Sequence, residues 1–197
     1  MTARFEDLPL ICHPGGATGG TPARSAPLTS IMVSGSLESD GVLALEYRLH
    51  GNLQLVRLPA HSGGKARGAA RRDQLWRHTC LELFARAADS PRYLEFNFSP
   101  DGSWAAYEFD GYRSGQRNLE ARNCKIELRQ EAERDLLACV SIVVPAMAAS
   151  SGIAGWQVGV AAVIEGSKGQ HSYWALNHPR EKPDFHDAAG FCGTLGV

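Results

Sequence analysis

Two glutamates and an asparagine carry the first chemical signal in this chain: Glu82, Glu95 and Asn97. They lie on two neighbouring segments in which polar and apolar residues alternate, at positions that bring all three to one face. His78 falls on the same side of its segment, two residues before Cys80. Carboxylates, amides and arginine bind hydroxyl groups, and aromatic rings stack on the C–H faces of sugars. The residues that could complete such a site are Trp76, Trp104, Tyr107, Tyr112, Arg113 and Trp174, with His178 and His186 further on. Taken singly, each aromatic favours a core position, and the glutamates would only solvate the wet side of a sheet. Taken together they suit a ligand platform.

Other chemistries are open to the same residues. Glu82 and Glu95 could act as acid and base if their carboxyls approached the roughly 5–5.5 Å of a retaining glycosidase, and Asp184 could assist His186. A metal would draw on His78, Cys80, His178, His186 and Cys192. Neither His-x-Cys nor two histidines eight residues apart matches a standard ligand spacing. No nucleophile elbow or catalytic serine motif is present. The residues therefore favour binding without catalysis. A purely structural alternative is that the segment YWALNHPREKPDFH closes the open end of the fold. Trp174, Phe185 and Phe191 would then be apolar plugs, with His178 and His186 satisfying loop carbonyls.

The elements that must position these residues are strands. Residues 92–98 alternate strictly, with Leu94, Phe96 and Phe98 on one side and Tyr93, Glu95 and Asn97 on the other. Ser99-Pro100-Asp101-Gly102 has the residue types of a tight turn, and residues 103–109 return as a second strand. Residues 79–85 obey the same alternation. Upstream, residues 31–37 and 42–49 are joined by Glu38-Ser39-Asp40-Gly41, and residues 53–58 form a strand ended by Pro59. Downstream, residues 124–129, 136–144, 156–164 and 172–176 read as strands, and residues 146–153 as a helical turn. Residues 59–74 form a loop carrying Lys65, Arg67, Arg71 and Arg72, a solvated excursion with no Walker pattern.

About ten short strands with almost no amphipathic helix predict an all-β protein, an antiparallel β-sandwich of jelly-roll or immunoglobulin-like type. The expectation is a single domain over residues 1–197, with a loosely ordered segment at 1–28 and an irregular segment at 177–197 packing on the sandwich. Apolar content of 44% and a net charge of −1 fit a soluble globular chain and argue against charge-driven nucleic-acid binding. No apolar run approaches the ~18 residues of a membrane helix. Glu6 and Asp7 stand where a signal peptide would be apolar, so a cytoplasmic location is expected. Five irregularly spaced cysteines then read as reduced thiols, with Cys80, Cys124 and Cys139 as small buried hydrophobes.

At residues 75–84 and 93–113, LWRHTCLELF and YLEFNFSPDGSWAAYEFDGYR, the sequence strongly resembles the DOMON-like proteins of bacteria. These belong to the wider group of DOMON domains and family-nine carbohydrate-binding modules. The later stretch YWALNHPREKPDFH and the early Ile11-Cys12-His13-Pro14 extend the resemblance over nearly the whole chain. It implies an antiparallel β-sandwich that binds sugar or haem. By position, Met32 on an early strand and one of His171, His178 and His186, with His178 the chosen partner, would be the axial pair of a haem b. The leading expectation is a sugar-like small ligand near Glu82, Glu95 and Asn97, with no cofactor. Haem b is second and a protein-interaction role without a small ligand third. Oligomeric state is open.

Overall fold

The computed structural model describes residues 2–15, 26–59, 70–88, 90–145 and 155–196. It is all-β, as expected, with two antiparallel sheets packed face to face. Thirteen strands, rather than about ten, lie among the described residues. They are β1 (Ala3–Pro9), β2 (Ile11–Cys12), β3 (Leu28–Leu37), β4 (Val42–Gly51), β5 (Cys80–Arg86), β6 (Tyr93–Phe98), β7 (Trp104–Phe109), β8 (Arg117–Asn118), β9 (Arg122–Ala132), β10 (Asp135–Val143), β11 (Trp156–Glu165), β12 (His171–Ala175) and β13 (Gly193–Leu195).

The smaller sheet runs β1-β3-β4-β10-β9. The larger runs β2-β12-β11-β5-β6-β7-β8, with β13 also pairing β11. The sheets meet at one corner, where Arg4 and Gly196 exchange backbone hydrogen bonds of 2.7 and 3.0 Å. Between them lies the main core. Ile31, Leu43, Tyr47 and Ile142 come from one sheet, and Leu81, Leu83, Phe96, Phe98 and Ile164 from the other. Full burial of each such side chain contributes about 1.5–3 kcal/mol. Tyr47 keeps its hydroxyl satisfied by donating to the Glu82 carbonyl across the core, at 2.8 Å.

The expected hairpin of β6 and β7 is present. Gly102 at φ 88° donates to the Ser99 carbonyl at 3.0 Å, and the Asp101 carboxylate accepts from the Ser103 N–H at 2.8 Å. Three expectations are corrected. Residues 53–58 are not a strand: Leu53–Leu55 is a 3-10 turn, followed by a lone bridge from Val56 to Gly166. The segment at 1–28 is not loosely ordered throughout, because β1 pairs along β3 and β2 along β12. The chain end, expected to be irregular, still forms the 3-10 turn Ala188–Gly190 and β13. Lys65, Arg67 and the helical turn expected at 146–153 lie outside the described residues.

Candidate functional site

The alternation of β5, β6 and β7 sends Leu81, Leu83, Phe96 and Phe98 inward. It sends Cys80, Glu82, Phe84, Tyr93, Glu95, Asn97, Tyr107 and Phe109 to the far face of the larger sheet. Register then aligns these residues in rows. Glu82 stands opposite Asn97 on one side and Ala161 on the other; Asn97 faces Ala105, and Ala161 faces Ala175. Three alanines thus flank two polar side chains and leave a depression. The adjacent row carries the bulky Phe84, Glu95 and Tyr107.

Two segments cover this face. One is the 3-10 turn Leu75–Arg77, and the other is the stretch 177–192. Leu75 and Phe185 pack on a second apolar cluster built from Phe84, Tyr93, Tyr107, Phe109 and Phe191. Phe191 stacks on Phe84 with ring centroids 5.8 Å apart. It sits on Gly159, where a Cβ would meet the phenyl ring at 2.6 Å, so glycine is what lets the chain end close. The side chains of Glu82 and Glu95 are therefore not wet: they are 3% and 4% exposed.

Between floor and covers lies a cavity of about 730 Å³, within the usual range of small-molecule sites. Of the expected residues it gathers Trp76, Glu82, Glu95, Tyr107, Arg113 and His186. Sequence reasoning missed Asp73, Tyr173, Phe185, Arg117 and Asn118, which also line it. Tyr173 was legible, since it alternates with the core residue Trp174. The others sit on irregular chain or on a two-residue strand with no periodic signal.

Glu95 accepts a hydrogen bond from Asn97 Nδ2 at 2.6 Å. The Tyr93 hydroxyl accepts from the Arg113 backbone N–H at 3.2 Å and shares a 2.7 Å bond with His186 Nδ1. If that hydroxyl proton goes to Nδ1, the ring proton sits on Nε2, which lies 3.8 Å from Glu95 Oε2. Asp184 ties the cover down by accepting from the Tyr112 hydroxyl, from Arg113 at 2.9 Å and from the His186 backbone N–H at 3.2 Å. The backbone at two lining residues is left-handed, with φ 62° at Gln74 and 51° at Arg113. Such conformations cluster at functional sites.

Burial pushes Glu82 well above the usual carboxylate range, and the charge of Glu95 adds to this; the Cys80 thiol and Arg113 oppose it in part. Burial also raises Glu95, against the Asn97 amide and Arg113. Burial and then Arg113 push His186 down to about 4, while Asp184 pulls the other way. For Asp184, burial alone would raise the carboxyl, but its bonds from Tyr112 and Arg113 hold it below the ordinary value. Glu82 Oε1 is buried and has no hydrogen-bond partner among the described residues.

The remaining expected residues go elsewhere. Asn97 lies beneath the cavity as the partner of Glu95, and Tyr112 stands at the rim, 52% exposed. Trp104 and Trp174 are corrections: both belong to the core between the sheets, because their strand parity is opposite to that of Tyr107 and Tyr173. His78 leaves the site, its Nδ1 2.8 Å from Glu165, a buried carboxylate also held by Arg57. His178 donates from Nε2 to the Ile11 carbonyl at 2.8 Å and packs edge-on to His13. Met32 is half-buried in β3 of the smaller sheet, opposite Pro9 and Arg48, and does not line the cavity. No three His, Cys, Asp or Glu side chains among the described residues are grouped as a metal would need.

Neither any family model nor any curated protein matches the sequence. Among solved structures, the fold is similar to one from Bacteroides uniformis ATCC 8492 described as "a putative carbohydrate-binding protein". The two share 19% identity at a TM-score of 0.54, over 83% of this chain and 77% of that one. This similarity is one of fold. No helix among the described residues is long and apolar enough to cross a membrane.

Proposed function

We propose that this chain is a non-catalytic module that binds a small polyhydroxylated ligand, of the carbohydrate class, in the cavity over the larger sheet. The observation that carries this reading is the placement of Glu82 and Glu95, carboxyls 3% and 4% exposed, in the lining of an aromatic-walled cavity, where Glu82 Oε1 has no hydrogen-bond partner among the described residues. Leaving such an acceptor unpaired costs about 1–3 kcal/mol, and a ligand hydroxyl would satisfy it. Tyr107, Phe109, Tyr173 and Phe185 supply faces for a sugar ring. The resemblance of the central motif to carbohydrate-binding modules, and the name given to the Bacteroides structure, support the same class.

Binding is favoured over catalysis by the direction of the titrations. Acid–base pairs work when their surroundings push the two groups apart. Here Glu82 and Glu95 are both pushed up by burial. His186, depressed to about 4, is far from the neutral range where a general base is most effective.

Trp76 lines the cavity and is 47% exposed, so it reports on the site directly. Adding mono- and oligosaccharides should change its emission saturably. Trp76→Phe should remove that signal, and Glu95→Ala should abolish binding measured by calorimetry. A sugar panel that gives no saturable response by either method sinks the reading.

A further inference from the structure

The fixed cations around the cavity already have their acids. Arg71 pairs with Asp73 at 3.3 Å, Arg113 with Asp184 at 2.9 Å, and Arg117 with Glu108 at 2.7 Å and Asp110 at 2.9 Å. The two acids of the floor differ from all of these. Among the described residues, no lysine or arginine comes within ion-pair distance of Glu82 or Glu95. The basic group that does approach, His186, stands 3.8 Å from Glu95, and its depressed value keeps it neutral near pH 7. Glu82, 3% exposed, lines the cavity, and its Oε1 has no hydrogen-bond partner among the described residues.

A neutral polyol would add a hydrogen bond there and leave two buried carboxyls that only the more distant charge of Arg113 offsets. An ammonium group offers three donors and no acceptor, and it brings the missing charge. The nearby faces of Tyr107, Tyr173 and Phe185 also attract cations. We propose that the cavity takes the ammonium group of an amino-bearing polyol, the class of an unacetylated amino sugar, and that Glu82 and Glu95 hold it. This deepens, and rests on, the polyol reading above.

The carboxyls of the unliganded floor hold a proton more readily than ordinary glutamates. Burial raises both glutamates; Cys80, Glu95 and Arg113 face Glu82, with Tyr47 behind the sheet and Tyr173 on the wall. The ammonium favours the ionised form, so a carboxyl that carries a proton before binding gives it up to the buffer as its O–H bond breaks, and the carboxylate accepts an N–H of the ligand. Binding of the amine should therefore release protons, and binding of a neutral sugar should not.

The experiment is calorimetry at about pH 6.5, where a primary amine is charged, in two buffers of different ionisation enthalpy. The probes are glucose, N-acetylglucosamine and the 2-, 3- and 6-amino isomers of glucose. At least one amino isomer should bind about 10- to 100-fold more tightly than glucose, the worth of charge-assisted hydrogen bonds, and release protons. Glu82→Gln, of the same shape, should erase the preference, so that this isomer and glucose bind the variant with equal affinity. Its folding is checked by an unreduced thermal midpoint. If glucose and N-acetylglucosamine bind as tightly as every amino isomer, or if Glu82→Gln keeps the preference, the amine proposal is overturned and the polyol reading stands. If no probe binds and Trp76 does not respond, the polyol reading falls and takes the amine proposal with it.

Discussion

The two outer faces of the sandwich carry similar residues and treat them differently. On the smaller sheet, Arg48 pairs with Asp7 at 3.0 Å and also with Glu46, and Arg129 pairs with Glu127 at 3.0 Å. These side chains are roughly a third or more exposed, so water does most of the work of solvating them. On the larger sheet, Glu82 and Glu95 sit under cover, and among the described residues no lysine or arginine is in ion-pair contact with them. Strand alternation is the same on both. What differs is the chain laid across the larger sheet and the three alanines that keep its floor low. A charged strand face becomes a site when something dries it.

The largest expected effect comes from lifting that cover. Phe191→Ala should cost about 3–5 kcal/mol in urea unfolding, the usual loss for a buried phenylalanine, because the ring packs on Phe84, Tyr93 and the bare backbone of Gly159. The ligand response at Trp76 should vanish with it. A loss below about 1 kcal/mol would mean that the chain end is a loose flap, and the contrast between the two faces would fail.

This asymmetry explains what could be read in advance. The facing of Glu82, Glu95 and Tyr107 follows from period-two alternation, and so did the core leucines of β5. The same rule, applied to Trp104 and Trp174, assigns them to the core, since Tyr107 and Tyr173 have the other parity; spacing alone, without register, did not separate them. The cover was illegible. Phe185, Phe191 and His186 lie on proline-broken chain without period, and only tertiary contact tells where they land. The burial of Glu82 and Glu95 was illegible for the same reason. So were β1 and β2, whose alternation is interrupted by prolines and by a register shift between Phe5 and Leu8.

The next effect is on pH dependence, and it has opposite signs at neighbouring groups. His186 titrates near 6.5 when unfolded and near 4 in the folded protein. Its contribution is therefore intact above 6.5 and is lost as pH falls toward 4, on the order of 3 kcal/mol in full. His186→Gln should show a smaller fall in stability than the parent chain between pH 7 and 4.5. Glu82 behaves the other way, because its folded value is raised by burial and by Glu95. Its stabilising contribution is complete below the unfolded carboxylate value and is lost as pH rises through the folded one. Glu82→Gln should thus gain on the parent chain as pH rises from 4 to 8, measured by urea midpoints. A difference that stays flat with pH would show that Glu82 is ionised and solvated, as on the other face.

The smallest effect belongs to the smaller sheet and tests its half of the contrast. Arg48 makes two ion pairs, but its side chain is 54% exposed and Asp7 is 66% exposed. In water, Coulomb attraction at contact is about 1 kcal/mol, and ordering a long side chain offsets part of it. Arg48→Ala should therefore shift unfolding by at most about 1 kcal/mol. The shift should fade in 1 M salt, where the screening length falls to about 3 Å, and ligand binding at Trp76 should be unaffected. A salt-insensitive loss of several kcal/mol would mean that this face is as dry as the other, and the distinction between a solvated charged surface and a covered site would have to be redrawn.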